Sequence, residues 1–196
     1  MLLGAVPSHR GGIHACHATI SEMGRCRPSL KSTYFWVWRH PLSRLVSLYE
    51  YAKNGGNNGH EPGYAWVTGL SFDQFVQKLV RVRSETLGIL PGIFKPQAHW
   101  VEGGRKVGWC HVLNLHNLAA DWTRLRTLFS RLPQTALGSQ RVTPHGPWCA
   151  YYKKSATLSA ALRLYKQDFA LVADIDVRRI GSVECPNITL ATILSA

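Results

Sequence analysis

The chain has 196 residues, 45% of them hydrophobic, with seven Trp, seven Tyr and six Phe; that is enough apolar mass for one globular domain and excludes a disordered chain. Twenty-three Lys and Arg stand against eleven Asp and Glu, a net charge of +12, so the favoured partners are anionic: nucleic acid, an anionic nucleotide or an acidic glycan. No stretch reaches the about 18 consecutive apolar residues of a membrane span, and Met1 to Val6 is too short for a secretory signal, so the expectation is a soluble protein or one whose targeting segment lies outside this chain.

The positive charge is concentrated early. Before Glu50 the only acidic residue is Glu22, against Arg10, Arg25, Arg27, Lys31, Arg39 and Arg44. Residues 1–32 are rich in Gly and Pro and predict loop, with a short helix around His17 to Met23. Tyr34 to Trp38 is an unbroken aromatic and β-branched run, the pattern of a buried strand. Pro41 sits where a helix begins, and Leu42, Leu45, Val46, Tyr49 and Ala52 follow at i, i+3, i+4, i+7 spacing.

Residues 54–70 are rich in Gly and Asn and predict a long loop. Ser71 predicts an N-cap, with Phe72, Phe75, Val76, Leu79 and Val80 on the apolar face of a helix to about Arg83. Residues 84–106 read as loop. Val107 to Leu115 alternates like a second sheet strand, and Asn117 is placed to cap a helix with Leu118, Trp122, Leu125, Leu128 and Phe129 on one face. Residues 133–150 read as a linker. A helix capped by Ser155 then runs through Leu158, Leu162 and Tyr165 to Phe169, and residues 177–196 read as a peripheral tail after a domain spanning 1–176.

Cys16, Cys26, Cys110, Cys149 and Cys185 form neither a dense disulfide framework nor a C-x-x-C pattern, and no metal site is expected. Asn187-Ile188-Thr189 is a glycosylation sequon, meaningful only in a secretory compartment. No G-x-x-x-x-G-K-(S/T) is present, which disfavours a P-loop kinase, and no zinc-finger spacing or RNP-like motif supports nucleic-acid binding. A strand end feeding a helix N-terminus is a natural place to hold phosphate, and here it carries Arg39, with Ser47 in the helix and Arg44 nearby.

The stretch R-H-P-L-S-R-L-V-S-L-Y, residues 39–49, resembles the R-x-P-x-x-R-L-V-S-x-Y motif of sulfotransferases that use 3′-phosphoadenosine 5′-phosphosulfate (PAPS), in particular their carbohydrate, Golgi-type branch. The resemblance implies that Arg39 and Ser47 hold the cofactor's 3′-phosphate. His17-Ala18-Thr19-Ile20-Ser21-Glu22-Met23 looks like the family's H-A-T-A-x-E-L segment, which makes His17 the candidate general base, with His14 competing. Ser71 to Val76 is similar to S-F-x-E-F-V. Phe94 to Trp100 resembles an h-x-x-P-Q-x-x-(F/W) element near the acceptor cleft, so Lys95 and His99 become candidate acceptor contacts. Tyr151-Tyr152 through Asp168-Phe169 is similar to the family's closing Y-Y-x(n)-Y-x-x-D-F.

Two departures accompany the match. The family pattern R-F-E-N-L-x-x-D-(F/W) keeps its N-L-x-x-D-W frame here, but Asn114 stands at the arginine and His116 at the glutamate. The family's P-K-x-G-(S/T)-(S/T) loop, which neutralises the leaving 5′-phosphate, has no counterpart before Arg39. The resemblance therefore implies an N-terminally truncated α/β domain of P-loop-like three-layer type: a central parallel sheet flanked by helices, with its first strand and phosphate loop missing. The implied activity is transfer of a sulfuryl group from PAPS to a carbohydrate hydroxyl, without metal or nucleic acid, in the Golgi lumen or at its membrane. The alternative is a noncatalytic nucleotide- or anionic-glycan-binding protein of the same descent.

Overall fold

The expected strand and helix at 34–53 are both present in the computed structural model, which describes residues 34–56, 59, 61–86, 92–101, 110–130, 132 and 144–173. In chain order the elements are strand β1 (Tyr34–Trp38), helices α1 (Pro41–Lys53), α2 (Phe72–Glu85) and α3 (Gln97–Trp100), strand β2 (Cys110–Asn114), and helices α4 (Leu118–Leu128), α5 (Ser155–Leu164) and α6 (Lys166–Ala173). Among the described residues the chain is thus mostly helical with a small two-stranded parallel sheet, α/β in the broad sense. It divides into two compact units. The first comprises Met1–Arg39 and Gln97–Gln140, the second His40–Pro96 and Arg141–Ala196.

In the first unit β1 and β2 run parallel in a register that places Trp36 opposite Val112 and Val37 opposite Leu113. The strand period of two splits the aromatic run of β1. Trp36 and Trp38 are buried, while Phe35 and Val37 pack with Leu113, Trp122 and Leu125 in a small core against α4. The Phe35 and Trp122 rings meet edge to face at 5.9 Å. Asp121, in the first turn of α4, accepts the Asn114 backbone N–H at 2.7 Å, tying the end of β2 to the helix it feeds. The Asn114 side chain accepts the His116 N–H at 3.0 Å, so the asparagine caps a short 3-10 turn, Leu115–Asn117. Asn117 is the N-cap residue of α4 as expected, though its side chain makes no cap bond. Leu128, expected on the packed face, is exposed.

In the second unit the i, i+3, i+4, i+7 face of α1 is the centre of the core. Leu42, Leu45, Val46 and Ala52 are fully buried and Tyr49 nearly so, each apolar side chain of Val or Leu size contributing about 1.5–3 kcal/mol on burial. Pro41 occupies the first turn of α1, and the His40 carbonyl accepts the Arg44 N–H at 2.8 Å. Ser71 caps α2 as expected, within a complete capping box: Ser71 Oγ accepts from the Gln74 N–H, and Gln74 Oε1 accepts from the Ser71 N–H at 2.8 Å. Phe72, Phe75, Val76 and Leu79 pack this helix into the same core as Ala160, Ala161, Leu162 and Tyr165.

Several stretches expected as loop or linker contain structure. Pro62–Val67 and Gly92–Phe94 are 3-10 turns that deliver Val67 and Phe94 to the core, and Gln97–Trp100 is a helical turn. Within the expected linker, Trp148–Tyr151 is a 3-10 turn whose Trp148 is buried. The expected Ser155 cap is corrected too, since α5 begins at Ser155 with Lys154 at the cap position and no side-chain cap bond. The single helix expected to Phe169 is two, broken at Tyr165. Arg83 explains the break: its Nη1 donates to the Arg163 and Leu164 carbonyls at 3.0 and 3.2 Å, satisfying acceptors that a continuing helix would have used. The expected helix at His17 to Met23 and the tail at 177–196 lie outside the described residues.

Candidate functional site

Arg39 is the first residue beyond β1 and closes the first unit's N-terminal segment. Its main chain is held by one side chain. The Arg39 N–H donates to Gln97 Oε1 at 3.1 Å, and Gln97 Nε2 donates to the Arg39 carbonyl at 2.8 Å. A residue in a strand turns its N–H and C=O toward the same edge, so one primary amide can satisfy both as a neighbouring strand would. Gln97 is only 2% exposed, which keeps water from competing for these bonds. The sequence marked the Pro-Gln element through Lys95 and His99 and passed over the glutamine.

Ser47 stands in α1, half-buried, and its hydroxyl has no hydrogen-bond partner among the described residues. Helical serines commonly turn their hydroxyl back onto the preceding turn's carbonyl; this one does not. Arg44, the second arginine of the motif, has a different fate. It is 8% exposed, its Nη2 donates to the Ile93 carbonyl at 2.7 Å, and its guanidinium lies 6.0 Å from the centre of the Tyr165 ring. Its charge therefore serves the packing of the second unit. His40, between the two arginines, is buried and stacks on Trp148 at 4.9 Å, with Phe169 edge-on at 5.8 Å.

Lys95 follows the 92–94 turn in the second unit, with its N–H bonded to the Gly92 carbonyl at 3.3 Å, and is half-buried. His99 is in α3 of the first unit, also half-buried, with its ring edge-on to Trp100 at 5.1 Å. His14 and His17 lie outside the described residues. Among the described residues no group of three or more His, Cys, Asp or Glu is arranged to hold a metal, and no helix is long and apolar enough to cross a membrane.

The second unit also carries an open cleft of about 340 Å³ lined by Ser71, Phe72, Asp73, Ala150, Tyr151 and Lys153, none of them a residue singled out for the cofactor. Its chemistry is largely committed to structure. Asp73 accepts from Lys154 Nζ and from the buried Thr157 hydroxyl, both at 2.7 Å, and the lysine bond holds its carboxyl below the usual carboxylate range, with help from Thr157. Tyr151 donates to Glu50 Oε1 at 2.9 Å; burial, followed by that bond, pushes its phenol up to about 12. Cys149, in the same turn as Trp148, is disulfide-bonded. Compared with family models, curated proteins and solved structures, the chain matches none.

Proposed function

We propose that the chain is a sulfotransferase-type domain that binds PAPS and directs its sulfuryl group to a carbohydrate hydroxyl. The proposed architecture is the P-loop-like three-layer one, with β1 and β2 belonging to its central parallel sheet. The observation that carries the proposal is where the R-H-P-L-S-R-L-V-S-L-Y motif falls: Arg39 directly after a buried strand, Pro41 in the first turn of a 13-residue helix, and Ser47 within that helix, its hydroxyl unbonded among the described residues. A guanidinium and a hydroxyl are a donor set suited to a phosphate dianion, the arginine through paired charge-assisted bonds.

When bound, PAPS would supply an activated sulfuryl group for in-line displacement. Arg39 and Ser47 would hold the 3′-phosphate and so fix the donor's position. His17, or failing it His14, would take the acceptor hydroxyl's proton. Lys95 and His99 would contact the acceptor. The disulfide at Cys149 suits an oxidising compartment, in keeping with a Golgi lumen.

The test compares nucleotides that differ in one phosphate. Arg39→Ala should weaken adenosine 3′,5′-bisphosphate binding by the about 1.5–3 kcal/mol of a charge-assisted bond, and adenosine 5′-phosphate binding far less. Equal losses would argue against the assignment.

A second reading, a binding protein without turnover, is favoured by one observation. Within the N-L-x-x-D-W frame, Asn114 stands where the family has arginine and His116 where it has glutamate, so two charges of the family pattern are replaced in this chain. Labelled PAPS offered with a panel of glycan acceptors separates the two. Turnover near about 1 per second, in the ordinary enzyme range, supports the enzyme; nucleotide binding without transfer supports the binder.

A further inference from the structure

The geometry points to Gln97 as a positioning residue for the nucleotide 3′-phosphate: its side-chain amide locks the Arg39 peptide and thereby aims the arginine. The inference rests on the proposed function, because it takes Arg39 as the 3′-phosphate ligand, and it adds a residue outside the strand-helix motif. Arg39 lies just past the last paired residue of β1, where the ladder of β1 with β2 ends at Trp38 opposite Asn114. Beyond a ladder's end a residue's φ and ψ are ordinarily free to vary. Here both main-chain groups of Arg39 are taken by one buried side chain, 58 residues away in sequence and in the same compact unit.

The consequence for binding follows from lever arms. A guanidinium sits at the end of a long side chain, so a small rotation of the Arg39 peptide displaces it by ångströms. Bidentate phosphate contacts tolerate little of that. A fixed peptide also removes part of the ordering cost that binding would otherwise carry. Gln97 is itself constrained: it follows Pro96, opens the α3 turn, and its amide is sealed from water. Gln suits the task because it alone among side chains of this length presents an uncharged donor and acceptor side by side. Glutamate would lose the donor, and methionine both.

The experiment uses the full chain and Gln97→Met, alone and with Arg39→Ala, titrated with adenosine 3′,5′-bisphosphate and adenosine 5′-phosphate. Gln97→Met should weaken the bisphosphate about tenfold, the worth of one to two hydrogen bonds, and leave the monophosphate within about twofold. In the Arg39→Ala background the same substitution should have no further effect on the bisphosphate, since no guanidinium remains to be aimed.

A purely structural role would weaken both nucleotides equally, or would persist in the Arg39→Ala background; either result overturns the inference. In case Gln97→Met does not fold, nuclear magnetic resonance of the wild-type chain supplies the second measurement. The Gln97 side-chain amide and Arg39 N–H signals should shift on adding the bisphosphate and stay in place with the monophosphate, and shifts from neither nucleotide would overturn it. If wild-type protein shows no preference for the bisphosphate, the proposed function falls and takes this inference with it. If that preference and the Arg39→Ala effect hold while Gln97→Met leaves both affinities intact, only the inference falls.

Discussion

The Tyr165 hydroxyl, wholly buried, donates to the Phe94 carbonyl at 2.9 Å across 71 residues of chain. With Arg44 on the neighbouring Ile93 carbonyl, it pins the turn that leads to Lys95 onto the core of the second unit. Tyr165→Phe removes the donor and leaves that carbonyl buried and unsatisfied, a cost of about 1–3 kcal/mol. Urea unfolding at neutral pH measures it, and an unchanged midpoint would refute the role. Burial also raises the Tyr165 phenol well above its ordinary 10.0. A group raised on folding contributes stability that is whole below its unfolded value and lost as pH climbs toward the folded one. Wild-type protein should therefore lose stability from about pH 10 upward, and Tyr165→Phe should lose less over that range.

Asp73 gives the opposite sign. Its carboxyl is lowered by Lys154 and then Thr157, so its contribution is whole above about pH 4 and lost as pH falls through the folded value. The Lys154 side chain is 70% exposed, and Lys154→Ala should cost under about 1 kcal/mol. Asp73→Ala should cost more, because the Thr157 hydroxyl, 1% exposed, loses its acceptor. Denaturant titrations at neutral pH and near pH 3 should show the wild-type advantage over Asp73→Ala shrinking in acid. An advantage that grows in acid would contradict the carboxylate's role.

Two glycines separate backbone strain from crowding. Gly55, just past the C-terminus of α1, has φ +74°, and an added Cβ would run into the Gly59 carbonyl. Gly69 has φ +79° with open space around it. Gly69→Ala should cost only the about 1–2 kcal/mol of the left-handed conformation. Gly55→Ala should cost more and lower the melting temperature further. Equal shifts would mean that the loop yields and the close approach carries no energy.

The parts legible in the sequence are those whose causes are local. The run Tyr34 to Trp38, the apolar spacing of α1 behind Pro41, and the Ser71 cap all depend on residues within a turn or two of one another, and all three appear where expected. The break at Tyr165 was not legible, since it depends on Arg83 and Phe94 reaching in from distant segments. Trp148 sat in a Pro- and Gly-rich stretch whose composition conceals a core anchor. At the candidate site the motif singled out Arg39 and Ser47, while Gln97 was hidden because a side chain satisfying a peptide 58 residues away leaves no periodicity to read.

The order in which the second unit's core comes together has a consequence for synthesis. Tyr152 donates to the Leu42 carbonyl across 110 residues, and Tyr151 reaches Glu50 across 101. A growing chain that has reached only Gln140 carries α1 complete but lacks Trp148, Tyr152 and the Ala160 to Tyr165 face that cover it. At ribosomal speeds of about 5–20 residues per second, Leu42, Leu45, Val46 and Tyr49 lack the Trp148 to Tyr165 part of their cover for several seconds after they emerge. During that interval part of this apolar face is open to water, an exposure that burial in the finished core removes.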